Sequence, residues 1–140
     1  EVTEQSLAGE LDVKLVPQGT FAERIRAGGA GLGGFLTPTG IGTVVEYGKQ
    51  KIEVDGKLYL LEKPLKAEFA LIRGSIIDSD GNIFYRGTTR NQSPLMASAA
   101  EYVIASACEY VEAGKIDPHI VMTPGIFVDA VVEGESEWIV

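Results

Sequence analysis

The feature that most constrains this fold is a glycine-rich segment over residues 28–43, which reads GGAGLGGFLTPTGIGT. Seven of its sixteen residues are glycine. That density costs conformational entropy unless the backbone approaches a neighbour closely or adopts positive φ. Leu32, Phe35, Leu36 and Ile41 supply apolar anchors that a flexible Gly/Ser linker lacks. The segment therefore predicts a shaped loop, packed at a site or an interface.

A phosphate-binding loop is a poor interpretation of this segment. Such a loop places consecutive backbone N–H groups at a helix N-terminus. Here the glycines follow a predicted helix rather than a strand, and neither a Walker A lysine nor a correctly placed G-x-G-x-x-G is present. From the residues alone, packing on a sheet or at a subunit contact is the interpretation that remains.

Strands and short helices alternate along the rest of the chain. Asp55-Gly56 between two apolar runs is a strong hairpin signal. Thr20 is a candidate helix N-cap, with Glu23 as its capping-box partner. The pattern favours an α/β domain with a parallel or mixed sheet. Strands are predicted at residues 12–16, 51–54, 58–61, 67–72, 75–77, 83–86, 102–107 and 126–132, and helices at 21–27 and 94–100.

Composition narrows the class of protein without identifying it. The 140 residues suffice for one domain with its own core. A net charge of −8 argues against nucleic acid and anionic membrane surfaces as partners. The single cysteine excludes an intramolecular disulfide framework. Together with the absence of a signal-peptide pattern, this composition predicts a cytoplasmic protein.

Side chains that could carry chemistry are scattered rather than clustered. Residues 78–82 resemble a calcium loop only superficially, because position 6 would be Ile83 and position 12 Thr89, so a hairpin turn is predicted. His119 has no partner at metal-ligand spacing and is predicted in a loop. Cys108 ends an apolar strand without a nearby basic cluster, which predicts a buried, unreactive thiol.

Five segments together resemble the A (alpha) subunit of the family I CoA-transferases. They occur in the family's order at residues 16–46, 69–74 (FALIRG), 80–91 (DGNIFYRGTTRN), 94–100 (PLMASAA) and 123–129 (TPGIFVD). The resemblance implies a three-layer α/β/α fold and a hetero-oligomer with a B (beta) subunit. It also implies movement of CoA between acetoacetyl-CoA, butyryl-CoA or acetyl-CoA and an acid such as acetate. Coenzyme A would be a substrate, with no further cofactor and no metal.

The resemblance also implies that this chain carries no catalytic residue. In the family, the nucleophilic glutamate belongs to an S-E-N-G-type motif of the B subunit. This chain has no S-E-N-G, and Ser136-Glu137 is followed by Trp138. The family's A subunit opens with a strand, a G-G-F-type turn and a helix, to which nothing here corresponds. We therefore expect the C-terminal part of a subunit, with a domain over residues 1–133, a tail over 134–140 and an apolar surface that a partner covers.

With the resemblance added, the glycine segment has a second interpretation, as the lining of an acyl or CoA channel. The Arg90-Asn91 pair is a further candidate, because it lies between a predicted strand and helix, where ligands collect in α/β sheets. Similar A subunits continue with an aromatic residue and Asn, whereas this chain has Gln92-Ser93, and capping of the helix by Ser93 is the alternative. The channel candidates are Gly28, Gly29, Gly31, Gly33, Gly34, Thr37, Thr39 and Asn91.

Two other functions stay open at this point. A related sugar-phosphate isomerase-like domain would need a base and a phosphate-binding loop in this chain, and neither is visible. A subunit fragment that only binds or supports a partner would need no chemistry of its own.

Overall fold

The computed structural model describes residues 1–133, so the tail predicted over residues 134–140 lies outside the described residues. The described residues divide into two compact units, one of Glu1–Phe21 with Leu36–Glu62, and one of Ala22–Phe35 with residues 63–133. In chain order the helices are α1 (Val2–Leu7), α2 (Gln18–Gly29) and α3 (Ser93–Ala99). The strands are β1 (Phe35–Thr37), β2 (Lys51–Val54), β3 (Lys57–Glu62), β4 (Ala67–Asp78), β5 (Ile83–Phe84), β6 (Ala100–Val111) and β7 (Ala130–Val131).

The second unit is built on a four-stranded sheet in the order β5-β4-β6-β7. Strands β4 and β6 run parallel, from the pair Ala67 and Ala100 to the pair Asp78 and Val111. Strand β7 is parallel to β6, whereas β5 is antiparallel to β4. The prediction of an α/β domain with a mixed sheet is confirmed.

One long strand replaces the two strands predicted at residues 67–72 and 75–77. Strand β4 runs unbroken from Ala67 to Asp78. Gly74 is buried in β4, and a Cβ added there would lie 2.2 Å from Ile83 Cγ2 of β5. Gly74 thus leaves room for the side chain of Ile83 on the neighbouring strand β5, which is a requirement of tertiary packing that local propensity does not report.

The core lies on the face of this sheet that packs against α3. Ala70 and Ile72 of β4 meet alternate residues of β6 and Ala97 of α3 in one buried cluster. Tyr85 and Thr123 are also buried there, and their hydroxyl oxygens are 2.9 Å apart. Burial raises the pKa of Tyr85, and its hydrogen bond to Thr123 partly opposes that rise.

The turn predicted at residues 78–82 is confirmed. The buried carboxylate of Asp78 accepts hydrogen bonds from the backbone N–H groups of Asp80 and Asn82 and from the Asn82 side-chain amide. Gly81 adopts a φ of +83°. The side-chain oxygen of Asn82 then accepts the backbone N–H of Gly125, which ties the turn to a later loop.

The first unit contains a three-stranded sheet in the order β1-β3-β2. Strands β2 and β3 pair antiparallel up to Val54 and Lys57. Asp55 and Gly56 connect them, with φ values of 51° and 73°. Positive φ at both positions is the requirement of a two-residue type I′ turn, so the predicted hairpin is confirmed.

Three predicted strands are wrong in whole or in part. Of residues 83–86, only Ile83–Phe84 is a strand. Residues 12–16 form no regular structure, and Leu15 is 88% exposed. Their alternating pattern fits a strand, but a strand also needs a hydrogen-bonded neighbour, and no strand of residues 1–133 pairs with them. Of residues 126–132, only Ala130–Val131 is a strand, because a 3₁₀ turn occupies Gly125–Phe127.

Both predicted helices begin at other residues than expected. Helix α2 starts at Gln18, so Thr20 is buried inside its first turn rather than capping it. Glu23 forms an ion pair with Arg26 one turn later. Ser93 is the first residue of α3 and not its cap, and the Gln92 side chain makes no capping hydrogen bond. Among residues 1–133, no helix has the length and apolarity required to cross a membrane.

Candidate functional site

The glycine segment begins by ending helix α2. Gly31 adopts a φ of +69°. Its N–H donates to the carbonyl of Gly28 at 3.2 Å, and the N–H of Leu32 donates to the carbonyl of Ala27 at 2.9 Å. This pair of hydrogen bonds defines a Schellman motif, which places a left-handed residue just past the helix end. Gly31 therefore has a structural role.

Two further glycines allow α2 to approach its neighbours closely. A Cβ added to Gly28 would lie 2.2 Å from the carbonyl oxygen of Leu65. A Cβ added to Gly29 would lie 2.2 Å from the hydroxyl of Ser98 in α3. No side chain fits at either position, so packing alone accounts for both glycines.

These three glycines also share a small cavity at the N-terminal ends of β4 and β6. Its volume is about 170 Å³, and Lys66, Ser98 and Glu101 supply its polar groups. The Ser98 hydroxyl already donates to the carbonyl of Leu95. Pockets for drug-sized ligands occupy roughly 300–1,000 Å³, so this cavity is smaller than an ordinary ligand site. The cavity brings together Gly28, Gly29 and Gly31 of the predicted site.

Gly33 and Gly34 do not line this cavity. Gly33 is exposed, its φ lies outside the left-handed region, and no atom lies within 4 Å of an added Cβ. Backbone geometry therefore gives no reason for glycine at position 33.

The threonines of the segment lie in the first unit, where they hold a loop together. Thr37 Oγ1 accepts the backbone N–H of Thr39 at 3.2 Å. The Thr43 hydroxyl donates to the carbonyl of Gly40 at 2.7 Å and accepts the N–H of Val45. The loop is thus ordered by its own hydrogen bonds, and Thr37 has a local structural partner.

Glu46 closes the same loop, a role that sequence reasoning missed. Its carboxylate accepts the N–H of Gly42 at 2.7 Å and the ammonium group of Lys51 at 2.8 Å. Thr43 and Glu46 have the S/T-x-x-E spacing of a capping box, which could have indicated this arrangement. On β3, the buried carboxylate of Glu62 is likewise paired with Lys49. Both carboxylates therefore have structural partners.

The carboxylate of Glu46 is expected to be ionised at unusually low pH. The ammonium group of Lys51, followed by the N–H of Gly42, lowers the pKa of Glu46 below its ordinary value. Because the folded pKa is lowered, its contribution to loop stability is present above the ordinary glutamate pKa of about 4.3. That contribution disappears as pH falls through the folded pKa.

An NMR pH titration of the Gly42 amide measures this directly. The amide shift should move with a midpoint below the usual glutamate range, and the movement should vanish in Glu46→Gln, which keeps an acceptor oxygen but cannot ionise. A midpoint in the ordinary range, or an unchanged titration in the variant, would contradict the assigned contact.

The remaining sequence candidates lie apart from the glycine cavity. Asn91 is exposed, follows the 3₁₀ turn Gly87–Arg90, and does not line that cavity. His119 is exposed in a second 3₁₀ turn, where its N–H donates to the Asp117 carboxylate. Within residues 1–133, no group of three or more His, Cys, Asp or Glu side chains is placed to hold a metal ion.

The prediction for Cys108 is wrong. The thiol is exposed, and its sulfur lies 3.6 Å from Nη2 of Arg73. It was expected to be buried because its strand is apolar on both faces. Position 108 alternates away from Ala107, which is buried on the face that packs against α3. Which face of an apolar strand is covered cannot be read from the strand itself.

A larger cavity of about 800 Å³ lies at the C-terminal ends of β4, β6 and β7. The hydroxyl of Tyr110, which lines it, accepts the N–H of Ala107 at 2.9 Å and donates to the carbonyl of Val132 at 2.5 Å. This hydroxyl ties β6 to Val132, whose N–H also donates to the Ala105 carbonyl of β6. Ligands of open α/β sheets bind at this end of the strands, yet no residue of the predicted site lines the cavity.

Comparison with known proteins gives the class of protein. A family profile described as coenzyme A transferase matches residues 1–134. The chain therefore belongs to the coenzyme A transferase family, as the order of its sequence segments predicted.

Two relatives of the chain are both named as alpha subunits. The chain is 52% identical over 136 residues to the acetate CoA-transferase subunit alpha of Escherichia coli K12, covering 97% of this chain and 62% of that protein. It is 55% identical over 124 residues to the acetoacetyl-CoA:acetate/butyrate CoA transferase alpha subunit of Clostridium acetobutylicum, covering 89% and 57%. The chain thus spans about three fifths of the length of these relatives.

The fold agrees with a solved member of the family. The glutaconate coenzyme A-transferase of Acidaminococcus fermentans superposes with a TM-score of 0.84 over 94% of this chain and 48% of that chain. The identity is 22%, so this likeness supports the fold alone.

Proposed function

We propose that this chain belongs to the A subunit of a short-chain acid CoA-transferase. The observation that carries the proposal is the match to two alpha subunits over most of the chain at 52% and 55% identity. Acetate is the acid that both relatives' names share. We therefore propose acetate as one acid, with acetoacetate or butyrate as the other. The family assignment favours this function over the isomerase-like alternative.

The proposed reaction requires a carboxylate that this chain does not supply. A B-subunit glutamate attacks the acyl-CoA carbonyl, which forms an acyl–glutamyl anhydride and releases the CoA thiolate. The thiolate then attacks the glutamyl carbonyl, which gives an enzyme–CoA thioester and frees the first acid. The second acid reverses these steps and leaves as its CoA ester. Coenzyme A is a substrate throughout, and we propose no further cofactor and a cytoplasmic enzyme.

Within this reaction, we assign the chain the task of shaping the path of the substrate. Gly28, Gly29 and Gly31 fix the end of α2. Gly33 has no packing role, which supports contact with substrate at that position. Gly34, Thr37, Thr39 and Asn91 are proposed for the same lining on the resemblance alone.

Reconstitution tests the function. The A subunit that contains this sequence is produced with a B subunit carrying S-E-N-G, and CoA transfer from acetoacetyl-CoA to acetate is measured. Turnover is expected, and it should disappear when the S-E-N-G glutamate is changed to alanine. An intact A–B complex that transfers CoA to none of acetate, acetoacetate and butyrate would contradict the proposal.

Substitution of Gly33 separates a channel from a scaffold. Gly33→Ala should leave the melting temperature unchanged or raise it slightly, because the position is open and alanine restricts the unfolded chain. If the loop lines the channel, kcat/KM of the A–B complex should nevertheless fall. Thr37→Val removes one hydroxyl at constant volume and tests the second half of the loop.

Gly31→Ala is the matched control for these variants. It also adds a methyl group into open space, but at a φ of +69°, and should lower stability by about 1 kcal/mol. Unchanged kcat/KM in both Gly33→Ala and Thr37→Val would contradict the channel hypothesis and would mean that the loop has only a structural role.

A further inference from the structure

A carboxylate occupies a core position of strand β3. Leu60 and Glu62 are two residues apart and therefore lie on the same face of the strand. Leu60 is fully buried, and Glu62 is 3% exposed. An apolar side chain is the usual occupant of such a position, because a charge that leaves water loses its hydration. The presence of Glu62 therefore needs a reason other than burial of this face.

Lys49 is the partner that compensates the buried carboxylate. Its ammonium group donates to Glu62 Oε1 at 2.5 Å. Among residues 1–133, no buried side-chain nitrogen or oxygen lacks a hydrogen-bond partner. A buried ion pair adds little stability over apolar residues of similar size, and its best-attested use is to fix one arrangement of the chain. Here that arrangement concerns residues 38–50, which we call the β1–β2 loop and to which Lys49 belongs.

Hydrogen bonds lead from Lys49 through the β1–β2 loop. The Lys49 N–H donates to the Glu46 carbonyl at 3.1 Å. The Glu46 carboxylate accepts the Gly42 N–H at 2.7 Å. The N–H of Ile41 in turn donates to the carbonyl of Pro38 at 3.3 Å. The contact between Lys49 and the strand is therefore connected to the far end of the loop.

Two ion pairs of the described residues hold this loop, and they act over different distances along the chain. Glu46 and Lys51 are 5 residues apart and tie the loop to the first residue of β2. Lys49 and Glu62 are 13 residues apart and tie it to the last residue of β3. The second pair therefore sets where the loop lies relative to the buried face of β3.

We propose that Glu62 is a positioning residue for CoA transfer, which acts through Lys49 to fix the β1–β2 loop. This inference rests on the proposed function, in which Thr37 and Thr39 line the path of the substrate. Thr39 belongs to the loop, and its N–H donates to Thr37 Oγ1 at 3.2 Å. A loop displaced by about 1 Å would misalign this lining and slow the reaction, although the lining residues themselves are unchanged.

A double substitution separates positioning from stability. Lys49→Met with Glu62→Leu replaces the pair by apolar residues of similar size, so no uncompensated charge is left behind. In the A–B complex, this variant should keep or raise the melting temperature. Hydrogen exchange of peptides from residues 38–50 should nevertheless become faster, because the loop opens more often. The kcat/KM for acetoacetyl-CoA and acetate should fall by about tenfold.

Asp12→Leu with Lys14→Met is the matched control. It makes the same kind of change at an ion pair whose side chains are 81% and 83% exposed, and it should alter neither loop exchange nor kcat/KM. For Lys49→Met with Glu62→Leu, an unchanged kcat/KM, unchanged loop exchange or loss of the folded state would each overturn the proposal. A wild-type complex without turnover would instead contradict the proposed function, and the exchange comparison would still test whether the pair orders the loop.

Discussion

Assayed by itself with acetoacetyl-CoA and acetate, the 140-residue chain is expected to transfer no CoA. The reaction needs a carboxylate nucleophile, and the S-E-N-G motif that carries it in the family is absent from this sequence. The most enclosed carboxylates of the first unit, Glu46 and Glu62, are bound by Lys51 and Lys49. A spectrophotometric assay that follows loss of acetoacetyl-CoA measures the rate. Turnover by the chain alone would refute this division of roles between the subunits.

The control for this assay is a matched addition of B subunit. The B subunit alone and the B subunit with this chain are assayed beside the isolated chain. If the rest of the A subunit is essential, the mixture stays inactive until the complete A subunit is supplied. Activity that appears only with the complete A subunit would show that CoA transfer requires A-subunit residues outside these 140.

Gly28→Ala should destabilise the fold more than either Gly31→Ala or Gly33→Ala. The new Cβ would lie 2.2 Å from the carbonyl oxygen of Leu65, which is backbone and cannot rotate away. Helix α2 would have to move, although the Leu65 N–H donates to the Arg24 carbonyl and Arg24 Nε donates to the Lys63 carbonyl. Overpacking of this kind costs typically 1–3 kcal/mol and occasionally more, so we expect about 3 kcal/mol.

Urea unfolding of the A–B complex measures this cost as a shift of the midpoint. Gly33→Ala is the matched control, since it adds the same methyl group to the same segment in open space. Equal midpoints for the two variants would mean that α2 does not pack on the backbone of residue 65 as described.

Short-range signals in the sequence were sufficient for the turns. Asp55-Gly56 specifies its hairpin because only a few residues tolerate positive φ at both positions. The turn at residues 78–82 follows from the ability of Asp78 to bind backbone N–H groups two and four residues later. Interactions within about five residues decide these features, and the sequence displays them directly.

Helix starts could not be predicted equally well. Thr20 and Ser93 have the chemistry of N-caps, yet each lies inside its helix. Thr20 is buried in the first turn of α2. Packing of the first turn decided these boundaries over local capping, because a cap contributes only about 1 kcal/mol and is outweighed by burial of a helix face.

The candidate site likewise combines features that the sequence predicts with features that depend on the tertiary structure. Glycine content predicted that residues 28–43 form a shaped segment, but not which glycines are needed for packing. Gly28 and Gly29 are required by atoms of Leu65 and Ser98, which lie 37 and 69 residues further along the chain. Gly33 meets nothing. The distinction between scaffold and channel candidates depends on contacts that are distant in sequence.

By itself, the sequence determined the family, the α/β class with its mixed sheet, and the local turns, because each depends on ordered segments or on neighbouring residues. Tertiary structure alone decided that β4 is continuous through Gly74, against which the Ile83 side chain of β5 packs. It alone decided that residues 12–16 lack a strand partner within residues 1–133. It also decided that the side chain of Cys108 is exposed, on the face of the sheet opposite the buried core. The physical reason is that strand pairing and burial of a sheet face both require a second element. The sequence of an apolar strand does not indicate where in the fold that second element lies.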